Sequence, residues 1–459
     1  MINEINFPSV ESPGVYGPQD YSLQSLNFIS SSGPKIDLRK LMVEFSFYED
    51  LYAFSVSGSV TIKDAQGFIE LLSLTGNEYI EVDFGKVKNA PNTIKGKYRV
   101  YKIGNRTPTG NLNSESYVLY FCSEELMLSE QLKISKTVKG KKVSDIIKII
   151  LTNELQVGSK RINLIEDTTG VYDFVVPRLK PFEAISWVST YARPANNSDG
   201  ADMLFFETKD GFNFRSLQSL YGEKPYATYK YQPQNLDLDQ QSFQDKVTSV
   251  LSYQLVKSYN SLEDIQSGTF ANKLISVDPL SRTFKTTTFD MEKYRASAKT
   301  LNSGSPTNYM ENRFGVKQNQ AYDSSIKVAI TNSPQQNVKY IKERQGSTAK
   351  DVFIETYIPK RTAQLALANY TVLKAIIPGD PGITVGRVVQ FNVMTLKPNS
   401  NKKELDKFYS GNYLVTAVRH IIQAHGIYQT VLELSKDSSK TDHSTGNSST
   451  PSWKSAVSG

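Results

Sequence analysis

The sequence predicts a mainly β fold of the α+β type, with two related tube-like β-barrel domains separated by a small α+β domain and an irregular insert. Three observations predict this architecture. A cassette of four strand-like segments occurs twice in the 459 residues. The 26 tyrosines and 22 phenylalanines, against 2 tryptophans, are typical of β-rich domains because flat rings pack well on pleated surfaces. Two amphipathic helical segments lie between the cassettes and indicate the α+β part.

The repeated cassette runs from about residue 56 to 125 and again from about 370 to 437. In each copy a strand breaks at a turn, a second strand restarts after a glycine, and two more strands follow. The matched glycines, which we predict to be structural turn positions, are Gly76 with Gly386 at an offset of 310 and Gly96 with Gly411 at an offset of 315. A nearly constant offset over four strands indicates duplicated domains.

The frequency of proline and glycine, the hydrophobic periodicity and the polarity of the sequence divide the chain into successive segments. Many prolines and glycines mark the N-terminal segment, and residues 295–350 are polar with few apolar anchors, so we expect long loops or a poorly packed insert there. The predicted segments are an extended N-terminal arm (1–35), a first β-barrel (36–129), an α+β domain (130–222), entry strands of the second barrel with a loop-rich insert (223–360), the second β-barrel (361–437) and a polar flexible tail (438–459).

Two helices are predicted in the α+β domain. The first covers Val143–Leu155, where isoleucines recur on one face and Ser144 is available as the N-cap. The second begins at Pro181, because proline is well suited to the first helical position. Strands are predicted at 172–177, 203–207 and 212–216.

Charge and cysteine content exclude some classes of protein. The net charge of +7 arises from 53 basic and 46 acidic residues that are scattered, which disfavours a sequence-specific DNA-binding face. Cys122 is the single cysteine, so no internal disulfide forms, and its strand context predicts a small core residue. No apolar run approaches the length of a membrane span and the N-terminus lacks a signal sequence, so we expect synthesis in a cytosol.

No catalytic, cofactor or metal site is predicted. His420 and His425 flank the last hairpin without a spacing that would place both on one metal, and His420 is predicted to cap a strand. Phosphate-binding and nucleophile motifs are absent from the sequence. The neighbouring carboxylates Glu49–Asp50, Glu124–Glu125 and Glu263–Asp264 are interpreted as solvated pairs rather than as a glycosidase pair.

Several segments resemble the opening and closing runs of baseplate hub proteins from contractile phage tails. The opening segments are Leu38–Leu51 and Ser57–Asp64, and the closing ones are Ile377–Asp380, Val385–Gly386, Ser410–Val415, His420 and Leu432–Asp437. The resemblance spans most of the chain and consists of many weak positions. It implies a homotrimer whose six barrels form a pseudo-sixfold ring, which adapts a hexameric tail tube to a trimeric central spike.

The same resemblance implies further partners and a location. Neighbouring baseplate (wedge) proteins would contact the rim, and DNA or a tape-measure protein would pass non-specifically through the channel of the virion baseplate. Two alternatives stay open: the hub of a type VI-like or other phage-derived injection system, and a peripheral tail protein or adhesin that binds a host glycan. The absence of β-helix repeats before the polar tail favours a separate spike, and Trp453 is a candidate anchor within that tail.

Overall fold

The computed structural model describes residues 21–30, 35–69, 74–86, 92–109, 114–196, 202–231, 247–279, 282–307, 309–330, 354–395, 405–424 and 426–441. Within them the chain is mainly β and contains large antiparallel sheets, which confirms the predicted fold class. Among these residues, no helix is both long and apolar enough to cross a membrane.

The first barrel is an antiparallel sheet with the order β3-β4-β7-β6-β5-β1-β2. Its strands are β1 (Ser22–Ile29), β2 (Lys35–Asp37), β3 (Met42–Asp50), β4 (Ser57–Asp64), β5 (Tyr79–Gly85), β6 (Thr93–Pro108) and β7 (Glu115–Cys122). Alternate residues of these strands enter one core, in which Leu26 and Phe28 of β1 join Phe45 of β3. The sheet therefore curls until its two ends share that core. The sequence analysis missed β1, which pairs with β5 over its whole length.

The α+β domain follows, with two small sheets of order β10-β8 and β11-β12-β9 around one apolar cluster. Its elements are α1 (Glu124–Gln131), β8 (Ile134–Lys141), α2 (Val143–Ile149, continued by a π-helical turn at Ile150–Glu154), a 3₁₀ turn (Ser159–Arg161), β9 (Ile162–Ile165), β10 (Tyr172–Leu179), α3 (Pro181–Ser189), β11 (Met203–Thr208), β12 (Gly211–Ser216) and α4 (Leu217–Tyr221). Pro181 opens α3 as predicted. The Ser144 cap is wrong: Lys142 is the N-cap of α2, and the Ser144 hydroxyl hydrogen-bonds Asp167 at 3.2 Å.

The next segment supplies two strands to the second barrel and a three-stranded insert sheet of order β16-β15-β17. Its elements are β13 (Thr228–Tyr231), β14 (Ser252–Lys257), α5 (Ser261–Ser267), β15 (Ala271–Asp278), β16 (Thr283–Asp290), α6 (Met291–Arg295), 3₁₀ turns (Gln318–Gln320 and Tyr322–Ser324), β17 (Ile326–Ile330) and α7 (Ile354–Ala368). β17 lies in the stretch 295–350 that was expected to be loops, and residues 308 and 331–350 of that stretch lie outside the described residues.

The second barrel has the strand order β14-β18-β21-β20-β19-β13. Its remaining strands are β18 (Thr371–Pro378), β19 (Val388–Val393), β20 (Gly411–Gln423) and β21 (Ile427–Lys436). A parallel bridge between Lys230 and Ser249 links β13 back to the segment that leads into β14, and this closes the barrel. The core is a separate apolar cluster that includes Phe391 and Tyr413.

Candidate assembly site between the two barrels

The two cassettes pair their strands in the same order and register. The first cassette runs β4-β7-β6-β5 and the second β18-β21-β20-β19, with every pair antiparallel. Gly58 lies opposite Phe121 in the first, and Leu373, 315 residues later than Gly58, lies opposite Leu434, 313 residues later than Phe121. The predicted repeat of strand order is therefore confirmed for these four strands.

A shared irregularity supports this correspondence. The register between β6 and β7 shifts between Val100 and Lys102, and that between β20 and β21 shifts between Val415 and Ala417. The extra residues are Tyr101 and Thr416, which are 315 apart. β-bulges bend a strand at a defined place, so a bulge at the same position gives both long strands the same change of direction.

The four predicted turn glycines occupy related backbone positions. Gly76 and Gly386 have positive φ angles of 89° and 83°, a conformation that favours glycine. Just after each glycine, a backbone carbonyl accepts a hydrogen bond from an amide of the long strand, which is β6 in the first cassette and β20 in the second. Val100 N donates to Glu78 O, and Val415 N donates to Arg387 O, both at 2.9 Å. Gly96 and Gly411 are alike in register alone. Gly96 faces Val82 in the strand ladder, and only Gly411 has a positive φ, of 142°.

The two barrels are fused into one sheet at a seam formed by β20 and β3. The first half of β20 pairs with β19 in the second barrel, and its second half pairs with β3, from Ala417 opposite Asp50 to Gln423 opposite Glu44. On the exposed face of the seam, the Arg419 guanidinium binds Glu44 at 3.0 Å and lies over the ring of Tyr48 at 5.3 Å. One continuous strand thus holds the barrels side by side.

His420 lies within this seam, in the second half of β20 and opposite Phe47, so the prediction that it caps a strand is wrong. Its ring is fully buried near Phe47 and Phe84, and its Nδ1 is 2.9 Å from the Tyr428 hydroxyl. Burial, with a smaller contribution from Lys209, lowers the pKa of His420 to about 3, so the ring is neutral. A neutral buried histidine here is a core residue, and His425 lies outside the described residues.

Glu49 connects three parts of the chain at the end of the seam. Its side chain is buried, and its two oxygens accept the backbone amides of Lys209, in the β11–β12 turn, at 2.7 Å and of Val385, in the second barrel, at 3.1 Å. Burial raises the pKa of Glu49 to about 7, against the opposing effect of these two hydrogen bonds. The sequence analysis interpreted this carboxylate as solvated, and that interpretation is wrong.

A second buried carboxylate ties the first barrel to the α+β domain. Glu207 accepts the amide of Val56 at 3.0 Å and pairs with Arg161, which also binds Glu125 at 2.6 Å. Glu124 accepts the Tyr79 hydroxyl at 2.8 Å, so both members of this pair have structural contacts. Asp264 is likewise buried. Glu49, Glu124, Glu125 and Glu207 therefore join elements together.

The other predicted positions separate into those described and those not. Cys122 is buried at the end of β7, as predicted for a core residue, and burial raises the pKa of its thiol to about 11. Trp453, the candidate tail anchor, lies outside the described residues. In the part of the chain that the structure describes, no cluster of three His, Cys, Asp or Glu side chains could hold a metal ion.

Comparison of the sequence with known proteins gives a match to a curated phage protein and none to a protein-family model. No protein-family model matches the chain. A curated protein described as the probable baseplate hub protein gp334 of Vibrio phage KVP40 is 26% identical over 406 residues, which cover 87% of this chain and 90% of that protein. The sequence resemblance to phage baseplate hub proteins is therefore confirmed.

Two solved structures share the fold at low identity. A tail protein from Neisseria meningitidis MC58 matches with a TM-score of 0.51 and 11% identity over 93% of this chain and 100% of its own. The 43 kDa tail protein of prophage MuSo2 from Shewanella oneidensis matches with a TM-score of 0.51 and 10% identity over 90% and 99%. The fold of this chain is therefore similar to that of these two tail proteins.

Proposed function

We propose that this chain is the structural hub of a phage contractile-tail baseplate, in which three copies surround an axis and present six similar barrels. The observation that carries the proposal is the matched pair of barrels fused through β3 and β20. A chain with two barrels of the same strand order supplies six equivalent positions when three copies close a ring. The similarity to a probable baseplate hub protein supports the same role.

The proposed mechanism is geometric. A sixfold tail tube and a threefold spike can share an axis only through a part that presents six similar surfaces on one side and three on the other. Two diverged barrels per chain meet this requirement, because they are alike in backbone and different in side chains. We infer that the ring contacts the tail tube, the central spike and neighbouring baseplate proteins, and that DNA or a tape-measure protein passes through its channel in the virion.

The proposed role is structural rather than enzymatic. The carboxylates Glu49, Glu125 and Glu207 are held by backbone amides or by Arg161, which suits them to joining domains. Purified protein should accordingly not clear peptidoglycan. Hydrolysis that disappears on substitution of a single carboxylate would contradict this part of the proposal.

The ring is tested first in solution by light scattering coupled to size exclusion. We expect a species of three times the 51.4 kDa chain mass at high protein concentration. The second test is electron microscopy of tail particles, where this chain should occur in three copies around the axis. Six copies, or one copy away from the axis, would overturn the proposal.

A further inference from the structure

Strand β17 of the insert sheet turns its apolar side chains outward. Ile326, Val328 and Ile330 alternate along it with polar or small residues, and they are 50%, 69% and 75% exposed. Lys327, which lies between them, is on the side of α7, where its ammonium donates to the Thr362 hydroxyl. A half-buried strand normally turns its apolar set to a core. The orientation of β17 therefore indicates that a further segment or molecule covers its outer side.

The neighbouring strands extend this apolar side. Residues paired across adjacent strands share a face of the sheet, and Val277 of β15 lies opposite Phe284 of β16 and beside Ile330 of β17. The other side of β15 is buried against α7, where the Ser276 hydroxyl donates to Glu355 at 2.7 Å. The outer side of the insert sheet, here called the insert face, consists of Ile275, Val277, Phe284, Ile326, Val328 and Ile330.

The insert face is too small to hold two folded copies together. It spans three strands about 4.8 Å apart and about five residues of each strand, which is an area on the order of 200 Å². A stable contact between two proteins buries about 800 Å² on each partner. One tryptophan side chain, in contrast, buries about 150–250 Å². The area of the insert face therefore fits a short segment that carries one large aromatic ring.

The chain leaves the second barrel beside the insert. After β21, Gly304 N donates to Ser439 O at 2.8 Å, and the Ser439 hydroxyl donates to Ser305 O at 2.5 Å. The rest of the polar tail, residues 442–459, follows at this place and lies outside the described residues. Its sequence is composed mainly of small polar residues, and its apolar residues are Trp453, Ala456 and Val457. The tail thus carries a single large ring and starts next to the insert.

The tail is long enough to bring this ring to the insert face. Trp453 is twelve residues beyond Thr441, and twelve extended residues span up to about 40 Å. From Gly304, the path to the middle of β16 passes through the Arg295 side chain, which donates to Gly304 O at 2.8 Å, and then through α6. With half of β16 added, this path is about 30 Å at 1.5 Å per helical and 3.3 Å per strand residue. The insert face therefore lies within reach of Trp453.

We propose that the C-terminal tail folds back on its own chain and packs Trp453 against the insert face. A flexible tether of this length holds the ring near the face at an effective concentration on the order of mM. A contact that is too weak to join separate molecules is therefore populated within one chain. The indole ring covers the branched side chains of β17, which accounts for their outward orientation. The tail then acts as an intramolecular cover that keeps this apolar face from contacting other molecules.

Tryptophan fluorescence of the full chain tests this docking directly. The chain has 2 tryptophans, and the other one, Trp187, packs against Phe174 and Tyr191 in the α+β domain, where phenylalanine is a conservative replacement. In Trp187→Phe, emission excited where tyrosine does not absorb comes from Trp453 alone. We expect this emission to be blue-shifted and shielded from acrylamide, in comparison with the same protein unfolded in urea. A Trp453 that is quenched as readily as in urea would overturn the proposal.

Two matched substitutions in this background locate the ring. Val328→Ser removes the centre of the insert face, so the blue shift and the shielding should both be lost. Leu262→Ser is the control on α5, because Leu262 and Val328 are both 69% exposed. The control should leave the Trp453 signal unchanged, and calorimetry of both variants verifies that they stay folded. Shielding that persists in Val328→Ser would place the ring elsewhere and contradict the proposal.

Dilution distinguishes the tail of the same chain from the tail of another copy. Docking within one chain keeps the shielding of Trp453 constant at all protein concentrations, including those at which light scattering shows monomers. Shielding that is lost on dilution would assign the ring to a neighbouring copy and overturn docking within the chain. The hub proposal is tested separately by the mass of the assembled species, so it stands or falls independently of this result.

Discussion

Glu49 provides a stringent test of how the domains are held together. Glu49→Ala leaves two backbone amides without their acceptor, that of buried Val385 and that of half-buried Lys209. A buried donor without a partner costs about 1–3 kcal/mol, so the free energy of unfolding should fall by about 1–3 kcal/mol for Val385 and by a smaller amount for Lys209. The two amides belong to the α+β domain and the second barrel, whereas Glu49 belongs to the first barrel. The variant should therefore also loosen the junction of all three.

Glu49→Gln separates the two hydrogen bonds. Its amide oxygen can accept one backbone N–H, but its NH₂ group faces the other donor, so we expect about half the effect of alanine. Glu44→Gln is the matched control on the same strand. Its carboxylate is 33% exposed and pairs with Arg419 at the surface, where an ion pair contributes about 0–1 kcal/mol.

Calorimetry and hydrogen exchange measure these effects. Glu49→Ala should lower the unfolding temperature and speed amide exchange at Lys209 and Val385, while Glu44→Gln changes neither. The reasoning is refuted if Glu49→Ala unfolds at the same temperature as the Glu44 variant, with exchange at both amides unchanged.

Two further predictions concern backbone strain and pH. Gly386→Ala and Gly76→Ala both force a positive φ on alanine, which costs about 1–3 kcal/mol. Only at Gly386 would the new Cβ lie within 3.3 Å of Phe206, so the Gly386 variant should have the lower unfolding temperature in calorimetry. Equal unfolding temperatures would contradict this packing. Burial raises the pKa of Glu49 from 4.5 to about 7 and that of Asp202 from 3.8 to about 7. Between the lower and the higher pKa of each group, the folded state therefore binds more protons than the unfolded state. Stability should therefore fall by on the order of 3 kcal/mol per group as pH rises from about 4 to 7, and then level off. A thermal series from pH 4 to 8 checks this, and an equally steep profile in Glu49→Gln combined with Asp202→Asn would contradict the assignment.

The cassette repeat could be predicted because its signals are local. Alternating apolar residues, turn residues and the spacing of Gly76 and Gly386 are all set by short stretches of backbone. Strand β1 was missed because its eight residues stand between segments rich in proline and glycine, which outweighed its own pattern. The seam was missed because the register between strands hundreds of residues apart depends on packing, which no local pattern records.

Glu49 shows a signal that was available in the sequence. Phe45, Phe47 and Glu49 alternate along β3, so the carboxyl lies on the face that carries the two buried phenylalanines. Its position at a strand end favoured the solvated interpretation, whereas period-two alternation places it inside. The partner amides could not be predicted, since both come from distant turns.

The seam also imposes an order of events on biosynthesis. β3 and its partner half of β20 are separated by about 370 residues, and Ile422 and Tyr428 from the last two strands complete the core of the first barrel. At about 5–20 residues per second, a nascent chain exposes the edge of β3 for roughly 20–70 s before its partner is made. Of the two barrels, the first is thus translated earlier and completed only when the last strands have been made. A chain whose synthesis ends before residue 411 has an unpaired edge at β3 and an incomplete core in the first barrel.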